Sequence, residues 1–400
     1  ALSETPLGRG VVATRSLRHE DVYIRVPLSA VFSPQNEYLR DDPNVITLNR
    51  IGAKYHDQLA LLLLYECFVR EEDSFFAPWI RLLPRSLTNL DYLDEATLAQ
   101  MQGSPTLDHL QVLRHKLALR YRKYKQRLVP SVFPKHVFSR ERFRWAFWLV
   151  HSRTFSIQNS SKITCSEVMV PFADMLNHRS PLKAGVDRWT HWGVDSTGQY
   201  FEMSGASCEV GEEIFTTYGK KSNTTLLVSY GFVVPENAWD RYDMCLVYRD
   251  LGHNLLSSRT RLHRKRLLLE LEFGHSDLSV RNRGLCWNTK VTEKSLMTLL
   301  SFARVCVATS RRQERLLIAG ANPFDFAAPT DELTQNEQTA LLWLLKCLRS
   351  QREVYRVPPD RWSSDQQLSY ALRCVYTVVE SELRILDALI RQAVELEICT

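Results

Sequence analysis

Two stretches decide the reading of this chain: Val170-Pro171-Phe172-Ala173-Asp174-Met175-Leu176-Asn177-His178 and, about forty residues later, Gly211-Glu212-Glu213-Ile214-Phe215-Thr216-Thr217-Tyr218-Gly219. The second runs on into Lys221-Ser222-Asn223 and Ser229-Tyr230-Gly231-Phe232. An Asn-His pair alone is ordinarily a turn, and a tyrosine at a strand end ordinarily packs. Their order and separation carry the information. A weaker feature lies near the start, Leu7-Gly8-Arg9-Gly10-Val11, where Gly-x-Gly by itself fits a tight turn entering a strand.

The composition around these motifs limits the classes open to the chain. With 400 residues and 44% apolar side chains, it is neither disordered nor fibrous and has material for roughly two to three domains. Fifty-one Lys and Arg against 45 Asp and Glu leave +6, which permits an acidic partner but is too mild for a dedicated nucleic-acid binder. The longest apolar run, Leu59–Tyr65, is about a third of a membrane span, so a soluble protein with no membrane partner is expected. The nine cysteines form no Cys-x-x-Cys pair and the eleven histidines no His-Glu-x-x-His pair. No metal and no disulfide framework are expected, and a reducing compartment is. The start at Ala1 carries no signal-peptide pattern and no Met, which points to a cytoplasmic or nuclear protein, or a plastid one if a transit peptide has been removed.

Periodicity divides the chain into blocks. Val11-Val12-Ala13 and Val22-Tyr23-Ile24 read as short strands. From about Asp57 to Trp148 the period is helical: Gln58–Arg70, Asp94–Met101 with Asp94 as its cap, the basic Asp108–Leu128, and the aromatic Arg144–Val150. Strands return at 168–171, 190–194, 200–203, 213–217 and 232–234. After Asp250 everything reads as helix, at 257–273, 293–308, 331–353 and 364–397, with Leu341, Leu344, Leu345 and Leu348 on one face.

Taken together, the Asn-His and Gly-Glu-Glu-Ile…Tyr-Gly segments resemble the SET-domain protein methyltransferases. Pro78-Trp79-Ile80-Arg81-Leu82-Leu83-Pro84, Ser152-Arg153-Thr154-Phe155, Ala173-Asp174-Met175-Leu176-Asn177-His178 and Tyr230-Gly231-Phe232-Val233 look like the Rubisco large-subunit lysine methyltransferase branch. The resemblance covers nearly the whole chain. It implies an α+β fold in which small curled sheets surround a knot-like crossing of the Asn-His and Tyr segments, a rare threading. The SET core would lie in two pieces, 1–56 and 151–236, split by a helical insert at 57–150. An all-α substrate-binding domain would follow at 250–400, in place of the Cys-rich zinc segment of other SET proteins.

The resemblance also implies the chemistry: methyl transfer from S-adenosyl-L-methionine to a lysine ε-amine of a non-histone protein, in one in-line displacement. A free lysine has a pKa near about 10.4, so the site must favour the neutral amine, align it and exclude water. Leu7, Gly8, Arg9 and Gly10 would approach the methionine end of the cofactor. Arg153 would pair with its carboxylate, unless it makes a surface ion pair, and Asn177 and His178 would also contact the cofactor. Tyr218 is the expected catalytic residue and would touch the cofactor too. A phenol with a pKa of about 10 is a poor base, so it would orient and stabilise rather than remove the proton. Phe155 and Tyr230 would wall the lysine channel; Asp174 either faces the substrate or caps the turn before Asn177. A histidine-methylating branch carries Asn and Trp where this chain has Phe155 and Ala173, so lysine is favoured and histidine is the alternative, beside an inactive docking module. Lys220 and Lys221 either favour an acidic target sequence or form a solvated turn. The basic runs at 114–127 and 259–266 read as solvated helix faces, so nucleic acid is not an expected partner. A monomer is expected.

Overall fold

The structure is a computed structural model that describes residues 1–5, 8–157, 167–180, 190–205, 207–249, 261–267, 269–270, 278–281, 284–309, 331–356 and 368–399. Leu7 therefore lies outside the described residues, as does most of the helix expected at 257–273. The chain divides into two compact units. One comprises Ala1–Tyr92, Leu110–Lys221 and Thr225–Ala238, the other Leu93–His109, Ser222–Thr224 and Trp239–Thr400.

Among the described residues the first unit holds nine short strands: β1 (Leu2–Thr5), β2 (Gly8–Val12), β3 (Ile24–Pro27), β4 (Thr154–Ser156), β5 (Glu167–Met169), β6 (Asn177–His178), β7 (His191–Val194), β8 (Tyr200–Ser204) and β9 (Glu213–Thr216). They form three small sheets, ordered β1-β2-β9-β6, β3-β8-β7 and β4-β5. Alternation decides which side of each strand is buried: Ile24 and Val26 of β3, and Phe201 and Met203 of β8, turn inward while their neighbours do not. One pairing is parallel, Asn177 opposite Phe215 and His178 opposite Thr216, and it lays the two deciding stretches side by side. Val22 and Tyr23 stay outside β3, and 232–234 is not a strand; Phe232 instead packs its ring on His178 and Tyr218.

The helical block of this unit is built on Tyr55–Tyr65 and Arg140–Arg153. The first buries Leu59 to Tyr65 without a polar face, as a helix enclosed on all sides must. The second starts at a Ser139 cap, whose hydroxyl accepts from the Arg142 amide, and its last residue is Arg153. Two buried carboxylates absorb part of the basic run at 114–127. Arg120 and the Tyr124 hydroxyl hold Asp57 at 3.2 and 2.7 Å, and Arg114 and the Trp148 indole hold Asp91 at 2.6 and 2.8 Å. These arginines anchor helices.

The second unit is mainly helical but not all-α. Strands β10 (Tyr242–Arg249), β11 (Leu278–Arg281) and β12 (Gly284–Val291) form an antiparallel sheet ordered β10-β12-β11. The all-α expectation fails here: buried Leu285, Trp287 and Val291 against exposed Asn288 and Lys290 is the period of two of a strand, in a stretch between the expected helices 257–273 and 293–308. Leu296–Val307, Asp331–Glu353 and Tyr370–Cys399 are helices, close to the expected bounds. Residues 93–109, read from sequence with the insert, pack in this unit. Gly103 lies so close to the backbone of Val354 and Tyr355 that a Cβ there would sit 2.4 Å from a carbonyl oxygen.

Candidate functional site

The site lies in the first unit, where the β6·β9 pairing brings Asn177 and His178 beside the segment that ends in Tyr218. The backbone at Phe172 takes φ +72°, a left-handed conformation uncommon for a side chain of this size. That bend starts the single turn Ala173–Met175 and sends the chain into Asn177. Tyr218 is fixed at both ends. Its amide donates to His178 Nδ1 at 2.9 Å, and its hydroxyl donates to the Leu176 carbonyl at 2.8 Å. Its ring stacks on Tyr230 with centroids 4.7 Å apart. Because the phenolic hydrogen is committed to Leu176, the oxygen offers lone pairs, not a proton, to whatever lies beside it. Burial pushes the Tyr218 phenol well above its ordinary value of 10, so it is no base at neutral pH. His178 has its pKa lowered to about 4, by burial first and then by the Lys221 cation. It is neutral and serves to hold the tyrosine amide.

Arg153, at the end of its helix, reaches the same place. Its Nη1 donates to the Asp174 carbonyl and lies 3.5 Å from Asp174 Oδ2 and 3.7 Å from Met175 Sδ. The Asp174 side chain is fully buried and also accepts from the Trp79 indole, 3.2 Å to each oxygen. Burial raises the Asp174 carboxyl above its ordinary value, opposed by Arg153 and Trp79. Asp174 is thus an anchor for Arg153. The turn Ala173–Met175 is preceded by Phe172, without a side-chain cap.

Two cavities meet at these residues. The smaller, about 420 Å³, is lined by Glu4, Arg9, Ser86–Asn89, Met175 and Asn177 among others. The larger, about 690 Å³, is lined by Phe155, Ala173, His56, His151, Trp192 and Lys221 among others. Ser152, Arg153, Asp174, Leu176, Tyr218, Ser229 and Tyr230 line both and form a common wall. Arg9, Arg153, Asn177, Asp174, Phe155, Tyr218 and Tyr230, all expected from sequence, are therefore brought together. Gly8, Gly10 and His178 line neither cavity.

Gly10 is needed for another reason: a Cβ there would lie 2.3 Å from Glu213 Oε1 and 2.9 Å from Asn177 Nδ2, in the path of the 2.7 Å hydrogen bond those two make. Gly8 has φ +96° and open space around it, so only its backbone conformation calls for glycine. Arg9 is exposed and donates to the Leu82 carbonyl.

The larger cavity carries residues the sequence did not single out. The His56 and His151 rings stack at 4.5 Å, with His56 Nε2 3.0 Å from Glu167 Oε2, and burial first, then His56, lowers the His151 pKa to about 3. Phe155 meets Trp192 and Phe201 edge-on at 5.8 and 5.5 Å. His56 and His151 stand far apart in the chain and share no motif, so nothing in the sequence joins them. Trp79, by contrast, sits in the Pro78–Pro84 stretch that carried part of the resemblance. Among the described residues no cluster of His, Cys, Asp and Glu is arranged to hold a metal ion.

No family model matches the chain. Among curated proteins it is 26% identical over 251 residues to the chloroplastic Rubisco large-subunit N-methyltransferase of Nicotiana tabacum, covering 60% of this chain and 48% of that protein. It is 27% identical over 242 residues to the chloroplastic [fructose-bisphosphate aldolase]-lysine N-methyltransferase of Arabidopsis thaliana, covering 57% and 46%. It is 27% identical over 251 residues to the actin-histidine N-methyltransferase of Canis lupus familiaris, covering 58% and 40%. The chain thus spans about half the length, or less, of the curated relatives it matches. The crystal structure of the SET domain of LSMT bound to MeLysine and AdoHcy superposes with a TM-score of 0.77 at 20% identity, covering 100% of this chain and 87% of that one. The two stretches laid side by side at Tyr218 thus belong to a SET fold, and in sequence the chain is similar to the Rubisco large-subunit and aldolase-lysine methyltransferases.

Proposed function

We propose that this protein is an S-adenosyl-L-methionine-dependent protein methyltransferase and that its target is a lysine ε-amine of a non-histone protein. The observation that carries this reading is the wall shared by two cavities. A cofactor in one and a target side chain in the other would both reach Tyr218, which lines both cavities, and a direct methyl transfer needs the two reactants held side by side in this way. The smaller cavity falls within the usual range for small-molecule sites, about 300–1,000 Å³. Its lining is charged on both sides of neutrality, with Arg9 and Arg153 for a carboxylate and Glu4 for an ammonium, which suits the amino-acid end of the cofactor. When bound, the cofactor supplies an electrophilic methyl on a cationic sulfur.

The remaining work falls to the chain. The Tyr218 oxygen, its hydrogen committed to Leu176, accepts from the target amine and orients its lone pair. Tyr230 and Phe155 form aromatic walls that hold the side chain's methylenes and disfavour an ammonium's hydration. Lys221, half-buried on the larger cavity and 5.9 Å from the Tyr230 ring centroid, adds a positive charge that favours the neutral amine. The proton leaves to water before transfer.

Tyr218→Phe removes the hydroxyl and keeps the ring stack. With tritiated cofactor and a protein extract of the organism of origin, labelling should fall by about 100-fold while the fold is retained, the scale of losing one preorganised polar contact to a transition state. Unchanged labelling would sink this role for Tyr218. Mass spectrometry of the labelled wild-type product separates lysine from histidine. The histidine reading is kept alive by the actin-histidine relatives, and Phe155 and Ala173 on the larger cavity favour lysine. The names of the tobacco and Arabidopsis relatives make a plastid setting compatible with this reading.

A further inference from the structure

Trp79 belongs to the short helix Ala77–Ile80 of the insert, is buried, and lines neither cavity. Its ring is held by Phe32 and Phe76, with centroids 5.3 and 6.3 Å away. Its indole N–H points at both oxygens of Asp174, 3.2 Å from each. A carboxylate sealed from solvent takes its rotation from its donors, so this bifurcated bond sets the plane of Asp174. Arg153 meets that plane at one point, with Nη1 3.5 Å from Asp174 Oδ2, beside its bond to the Asp174 main-chain carbonyl. Its side chain retains 20% exposure at the junction of the cavities, and a long guanidinium arm has much rotamer freedom to lose unless something fixes it.

From this arrangement we propose that Trp79 is a positioning residue for cofactor binding, acting through Asp174 to fix the Arg153 guanidinium at the amino-acid end of the smaller cavity. The inference rests on the reading of that cavity as the cofactor's. It makes the helical insert, through one N–H, part of the apparatus that selects the cofactor's amino-acid end. Without the indole donor the buried carboxylate loses a partner that favours its charged form, and its grip on Arg153 weakens.

Calorimetric titration of the full chain separates this role from mere packing. The probes are S-adenosylhomocysteine and 5′-methylthioadenosine, which share the thioether nucleoside but differ in the amino-acid end. Trp79→Phe should weaken S-adenosylhomocysteine by about tenfold, the effect of one poorly satisfied hydrogen bond to a charged group, and 5′-methylthioadenosine by less than about twofold. Replacement of Trp79 by benzothienylalanine keeps the ring's shape and puts sulfur in place of the N–H. It should reproduce the selective loss in a protein that still unfolds in one cooperative transition. Unchanged affinity for S-adenosylhomocysteine, or an equal loss for both ligands, overturns the proposal. A wild-type protein that binds 5′-methylthioadenosine but not S-adenosylhomocysteine also overturns it, and one that binds neither overturns the cofactor reading beneath it.

Discussion

His178 shows how a residue named by a motif can act on another residue rather than on a ligand. Its Nδ1 accepts the Tyr218 amide hydrogen, so the ring must be neutral there, with any hydrogen on Nε2, which lies 3.3 Å from Ser180 Oγ. Burial and Lys221 both oppose its protonation, and its pKa is lowered to about 4. Removing the cation relieves one of the two causes. In Lys221→Met the His178 pKa, followed by NMR of the imidazole carbons, should move up toward its ordinary value, and a shift downward or none would remove Lys221 from the site's electrostatics. Arg153 and Asp174 were both nameable from sequence, yet their pairing was not, because the indole that organises them stands 95 residues before Asp174. A motif reports which groups are present; only the fold reports which of them are already engaged.

Among the elements, long helices were the most legible part. Asp331–Glu353 matches its expected bounds and Asp94 caps its helix through the Thr97 amide at 2.8 Å, because a repeated apolar spacing and a cap are both local signals. Short strands were less so. β1, Leu2–Thr5, escaped notice because only Leu2 is apolar and the strand owes its form to β2 beside it. Turns behave similarly, since a glycine's neighbours are remote in sequence. Gly231 follows the helix Asn223–Tyr230 with φ +83°, and a Cβ there would lie 2.5 Å from Thr88 Oγ1 and 2.7 Å from the Asn89 amide nitrogen. Gly52 has φ +69° in open space. Urea unfolding should therefore show Gly231→Ala costing about 3 kcal/mol, strain plus overpacking, against about 1 kcal/mol for Gly52→Ala. Equal costs would mean that the contact with Thr88 and Asn89 yields freely.

On the scale of the whole molecule, each unit carries its own buried charge. In the second, Glu382 accepts from Thr106 at 2.7 Å and from the Tyr355 hydroxyl at 3.0 Å. Burial, only partly offset by those donors, raises its pKa from 4.5 to about 7. Between those values the unfolded chain has released the proton and the folded chain retains it. Stability therefore falls as pH rises across the interval, by up to about 1.4 kcal/mol per pH unit from this group. Glu382→Gln removes the titration, so its unfolding midpoint relative to wild type should climb from pH 5 to pH 8; a gap independent of pH would exclude the mechanism.

The pairing of Val11 with Ile214 has a further consequence, for the order in which the chain is made. Strand β2 leaves the ribosome about 200 residues before β9, its neighbour in the sheet, and closing so long a loop is slow compared with folding a helix. The helices at 55–65 and 140–153 are complete on the nascent chain before Leu176, Tyr218 and Tyr230 exist to form the wall between the cavities. Translation must pass Tyr230 before either cavity has its shared wall, so a chain interrupted earlier has no place for two reactants to meet.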